Sequence, residues 1–193
     1  MSDRLTAVIE SADRNRVQFE RFCRLLSEEQ LHRPIPESHW RVKDYIAHLA
    51  TIDIWVGGEW FESMASGTAF IPRGEDGSPF DIDSWNDARV KERLDASLDD
   101  LFAEAAQTRA ALYSTFPRFS EETLASRFVF RKKEISFLEY LEAWTLHDPA
   151  HSVNMLKALP EKQANPQVRA WLANFPLEAM REVADVNANA SRT

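Results

Sequence analysis

Glycine is scarce in this chain, with 5 in 193 residues. So small a supply argues against a turn-rich β fold and against glycine-loop nucleotide sites. Cysteine is scarcer still. Cys23 stands alone, so no intramolecular disulfide can form, which fits a reducing, cytoplasmic setting. Positive charge is in deficit: 23 Lys and Arg against 31 Asp and Glu give a formal charge of −8. The basic residues are scattered, whereas nucleic-acid binding needs a basic face and membrane-surface binding needs much the same. No apolar run approaches the ~20 residues needed to span a bilayer, and the first residues lack a charged-then-apolar leader pattern. What is present is ordinary globular material, 44% hydrophobic, in a chain long enough for one sizeable core.

Helical periodicity dominates that material. Val8, Ala12, Phe19, Phe22 and Leu26 recur at steps of three, four or seven, which predicts an amphipathic first helix of about six turns. Asn15 interrupts its stripe. Ser27-Glu-Glu-Gln30 reads as a capping box for a short helical turn, and Pro34 and Pro36 mark an extended loop. A second helix is expected over 41–64 on the stripe Tyr45, Leu49, Ile52, Val56 and Trp60, weakened at Gly57-Gly58. The stretch 66–82, with two Pro and three Gly, is expected to be a long mobile loop, a candidate lid. A third helix is expected over 84–114, capped by Asp83 and striped by Val90, Leu94, Leu101, Ala105, Thr108 and Leu112. Phe128 to Phe130 is the one strand-like stretch, before the basic turn Arg131-Lys132-Lys133. Ser136-Phe-Leu-Glu139 opens a fourth helix that runs to about Leu159. Asn165-Pro166 starts a short terminal helix, and the tail beyond 187 reads as frayed. The expected architecture is all-α: a four-helix bundle over 1–160 with a helical extension over 161–193 packed on or near it.

Histidine supplies the chemistry. His147 and His151 are four residues apart, so both imidazoles lie on one helix face. His48, on the flank of the second helix, would add a third nitrogen from across the bundle. Three such ligands leave a coordination position open, as catalytic metal sites do. Any single histidine is more often a surface or hydrogen-bonded core residue, and His32 and His39 take that reading. His39 lies about 13 Å along the helix direction from His48. Pro149 falls between the paired histidines. Either it kinks a continuous helix at the carbonyl of Thr145, or Asp148 caps a new helix that begins there. The expectation adopted is the kinked, continuous helix, because three turns from Ser136 are too short to line the bundle.

The run Trp40-x-Val42-Lys43-Asp44-x3-His48-Leu49-Ala50, followed by Asp81-x-Asp83-x-x-Asn86 and by His147-Asp148-x-x-His151, resembles the DinB/YfiT-like superfamily. It is also similar to the N-terminal domain of the mycothiol-dependent maleylpyruvate isomerases. The resemblance covers about residues 1–160. It implies a four-helix bundle in up-down-down-up order and a divalent metal, commonly zinc or nickel, held by His48, His147 and His151. It further implies a thiol S-transferase or isomerase using a low-molecular-weight thiol, or a hydrolase. This chain departs from its relatives at Pro149 and at Asp53, where many carry Glu.

The function expected is therefore a metal-dependent enzyme acting on a small electrophile. The rival readings are a non-catalytic metal- or small-ligand-binding stress-response protein, and a bundle with an empty site acting through dimerisation. Expected partners are a small-molecule substrate and, as an open alternative, a second copy in a homodimer. Ligand histidines need acceptors behind them. Asp44, one turn before His48, is the first candidate, with a helix-terminus role as its alternative. Asp148, Asn154 and Tyr140 follow. Trp55, Trp60 and Trp144 are candidates for pocket walls, Glu59 and Asp53 for bases, and Cys23 reads as an inert buried thiol. No catalytic residue is singled out.

Overall fold

Ser2 opens the first helix by accepting the amide of Leu5, and α1 then runs Asp3–Cys23 with Leu5, Val8, Ala12, Phe19 and Phe22 buried. The periodic stripe is what forces this helix to face inward. The computed structural model describes residues 2–55, 61–66, 81–130 and 133–176. The short helix α2, Glu28–Leu31, carries the capping box expected between Ser27 and Gln30. Helix α3 is Val42–Trp55 and α4 is Phe61–Ser66. Gly57-Gly58, Glu59, Trp60, the interior of the expected lid and the terminal tail lie outside the described residues.

The third helix is not continuous. It divides into α5, Ile82–Lys91, and α6, Leu98–Tyr113. Ser97 and Asp100 form a reciprocal capping box that starts α6 afresh, and Leu94, in the gap, is 44% exposed. The N-cap of α5 is Asp81, whose carboxylate accepts the amides of Asp83 and Ser84. Asp83 sits inside the first turn.

After α6, a 3-10 turn at Phe116–Arg118 leads to α7, Glu121–Ala125. Strands β1, Arg127–Phe130, and β2, Lys133–Ser136, pair antiparallel with Arg127 opposite Ser136. The apolar stretch at 128–130 is thus one arm of a hairpin. The fourth helix is also divided. Helix α8, Phe137–Trp144, starts on the capping box of Ser136 and Glu139, and α9 is His147–Lys157. Pro149 is the third residue of α9, in the first turn, where an amide N–H would have no intrahelical acceptor. The expected kink is therefore a break three to four residues upstream, at Thr145-Leu146. The freed carbonyl of Thr145 accepts Asn15 Nδ2 at 2.7 Å. Asn15, which breaks the apolar stripe of α1, is the polar group that the break requires.

Helix α10, Pro166–Leu172, begins at the expected Asn165 cap and buries Val168 and Trp171. The indole of Trp171 donates to Asn15 Oδ1 at 3.3 Å. The bundle assembles with α1 against α8, α9 and α10, while α3 packs on α5, α6 and α9. Phe19, Leu49, Leu101, Leu141 and Met155 meet in its core. Phe61, Phe116, Phe119 and Phe137 form an aromatic cluster with ring centroids 5.0–6.0 Å apart. Each such fully buried side chain contributes ~1.5–3 kcal/mol of hydrophobic stabilisation. Among the described residues, no helix is long and apolar enough to cross a membrane.

Candidate metal centre

Helix α3 places His48 and α9 places His147 and His151 where these helices pack together. Because α9 begins at His147, both members of the pair are helical and their four-residue spacing keeps them on one face. The Nε2 atoms of His147 and His151 are 2.9 Å apart. One nitrogen from each of the three rings lies within 4.8 Å of the others. The ring of His48 stands at 90° to both partners, with centroids 5.4 Å from His147 and 5.0 Å from His151.

His48 and His151 are buried and His147 is half-buried. Neither ring nitrogen of His48 has a hydrogen-bond partner, nor has Nδ1 of His151. Burial pushes the His48 imidazole down to about 4, slightly offset by Asn86 and Asp148. It pushes His151 well below its ordinary value too, helped by the neighbouring His147 and His48. Both rings are therefore neutral at neutral pH, with lone pairs available. Trp40 packs on His48 with ring centroids 5.2 Å apart, and Tyr45 packs on His151 at 4.9 Å. Three ring nitrogens converging on one point, with both those of His48 buried and unpartnered, fit a divalent cation.

The interior beneath the histidines is ionic. Asp148 accepts Arg16 Nε at 2.8 Å and Arg16 Nη2 at 3.0 Å. The same Nη2 donates to the carbonyl of Leu49 at 3.2 Å. One guanidinium thus joins the residue after His48 to the residue after His147. Arg109 donates to Asp53 at 2.8 Å and to Asp148 at 3.4 Å, and the Trp144 indole completes Asp53 at 3.2 Å. Burial raises the Asp148 carboxyl, but Arg16 and Arg109 outweigh it and hold the group below its usual value. Asp53 and Asp148 are committed to these partners, which removes Asp53 as a base and Asp148 as an acceptor for a histidine. Nothing in the sequence marked Arg16 or Arg109, because their partners lie 33 or more positions away in the chain.

Asp44 does not reach His48. Its carboxylate accepts the backbone N–H, Nε and Nη2 of Arg41, so it serves the start of α3. Asn154 and Ser38 flank the Tyr45 hydroxyl. Tyr140 packs toward Phe128 of the hairpin, and Trp144 lies under Arg109. The side chain of Trp55 is not among those described. Cys23 is fully buried and burial raises its thiol pKa, in keeping with an inert core residue. His39 pairs with Asp87 at 2.7 Å and His32 with Glu28, both apart from the centre.

The family model of the mycothiol maleylpyruvate isomerase N-terminal domain matches residues 12–147. His48 and His147 fall within that match and His151 lies just beyond it. Among solved structures, a histidine mutant of the mycothiol-dependent maleylpyruvate isomerase aligns with 80% of this chain and 63% of its own, at a TM-score of 0.58 and 13% identity. At that identity the likeness is one of fold, and this chain spans less than two thirds of that protein's length. No curated protein matches the chain.

Proposed function

Because this chain belongs to the mycothiol maleylpyruvate isomerase N-terminal domain family, we propose that it is a metal-dependent enzyme using a low-molecular-weight thiol on a small electrophilic molecule. The reaction class is S-transfer or isomerisation, with hydrolysis as the variant in which water replaces the thiol. His48, His147 and His151 would hold the divalent cation.

The observation that carries this reading is the set of unpartnered buried nitrogens on His48 and His151. A buried polar atom without a partner costs about 1–3 kcal/mol. Coordination would satisfy such atoms, and three neutral imidazoles would leave the cation's charge uncompensated. A cation held there would acidify a bound thiol or water. The chain's own part is positional. Burial keeps the imidazoles of His48 and His151 unprotonated, Trp40 and Tyr45 back those rings, and the paired Arg and Asp residues add no net charge beneath them.

Two measurements test the reading. Purified, untagged protein should take up about one zinc or nickel ion per chain, and His48→Ala and His151→Ala should each abolish uptake while circular dichroism stays helical. Wild-type uptake in both variants would place the ion elsewhere. Loaded protein should then turn over a thiol with a small electrophile. Binding without turnover would favour the non-catalytic metal-binding alternative.

A further inference from the structure

A ligand histidine uses one ring nitrogen for the ion, and the other donates its N–H to an acceptor that fixes the tautomer and the ring's rotation. His48 has two unpartnered nitrogens, and the carboxylate nearest in sequence, Asp44, is held by Arg41. Asp148 and Asp53 are held by Arg16, Arg109 and Trp144. Among the described residues, one buried side-chain oxygen without a partner is left over. Asn86, on α5, is 2% exposed, and its Oδ1 has no hydrogen-bond partner. Helix α5 packs on α3, which carries His48. The amide lies beside the His48 imidazole, although the contact falls outside hydrogen-bond geometry.

Two buried orphan groups therefore face each other, a ring needing an acceptor and an oxygen needing a donor. Each carries a desolvation cost that their pairing would remove. We propose that Asn86 is a positioning residue of the centre: its Oδ1 accepts the N–H on whichever His48 nitrogen is turned from the ion, and so presents the other nitrogen for coordination. Coordination would hold the ring in line for this pairing. This inference rests on the metal reading above and names a residue that takes no direct part in coordination.

The test is zinc affinity, by competition with a chromogenic chelator, for wild type, Asn86→Leu and Asn86→Asp. It is joined by thermal melts without zinc and by the ¹⁵N signals of the His48 ring with zinc. Asn86→Leu keeps the volume and removes the acceptor. Its affinity should fall about 10–100-fold, the usual effect of losing such a partner. Its metal-free melting temperature should be no lower than wild type, because an orphan oxygen has gone. Asn86→Asp keeps an acceptor and should keep the affinity, with a displaced His48 N–H resonance. Unchanged affinity in Asn86→Leu, or equal losses in both variants, would overturn the proposal. Should Asn86→Leu fail to fold, an unmoved His48 resonance in Asn86→Asp would overturn it. A wild type that takes up no zinc would overturn the metal reading and this proposal together, whereas uptake unaffected by Asn86 would overturn this proposal alone.

Discussion

His48 is the residue whose burial has the clearest consequence in solution. Its folded pKa, about 4, lies below the ordinary 6.5. Between those values the unfolded chain binds more protons than the folded one, so stability falls as pH falls. For His48 alone the loss reaches about 3 kcal/mol by pH 4, at 1.36 kcal/mol per unit of pKa. His151 is depressed for the same reason and adds to the loss. Asp148 acts lower on the scale, since its carboxyl is held below the usual carboxylate value and its stabilisation is lost only as pH falls through that lower value. Urea midpoints of metal-free protein at pH 7 and pH 4.5 check this. A flat profile would mean that His48 is hydrated in solution. The convergence of three histidines was legible in the sequence, because a four-residue pair and a histidine on a second amphipathic helix both follow from periodicity. Arg16 and Arg109 were not, because a lone arginine reads as a solvated surface residue until its distant partner is known.

Helix breaks were harder to read than helices. Val90, Leu94, Leu101, Ala105 and Leu112 keep helical spacing straight through the gap between α5 and α6, so apolar spacing alone joins them. The reciprocal box of Ser97 and Asp100 was the signal that separates them. At the second break the signal was Pro149, and its position in the first turn of α9 decides the effect of replacing it. The Pro149→Ala variant gains an amide in the first turn of α9, where the helix itself supplies no acceptor. It also gains conformational freedom when unfolded. The variant should lose roughly 0.4–1 kcal/mol of stability, with metal affinity unchanged. Chemical denaturation alongside chelator competition measures both. A more stable variant would restore the picture of an interrupted helix.

Across the whole molecule, the all-α bundle was legible because every long segment shows one apolar stripe. The hairpin of β1 and β2 was only half legible, since β2 is short and mixed in character. Helix α10 extends the bundle's reach to the centre in three steps. Trp171 holds Asn15, Asn15 holds the carbonyl at the α8–α9 break, and α9 carries two of the histidines. Trp171→Ala should cost about 3–5 kcal/mol, the usual penalty for emptying a buried aromatic position. Urea denaturation followed by far-ultraviolet dichroism measures the loss. A change below 1 kcal/mol would show that α10 is not packed on α1 in solution.

The guanidinium of Arg16 touches both the carbonyl of Leu49 and the carboxylate of Asp148. Its partners are 99 positions apart in the chain, from 49 to 148. Closing a loop of that length carries an entropy loss that grows with the logarithm of its size. In small zinc-dependent domains the ion itself must offset that loss, and they unfold when it leaves. Here Arg16 closes that loop with groups of the chain itself, so the junction of α3 and α9 is held by protein contacts.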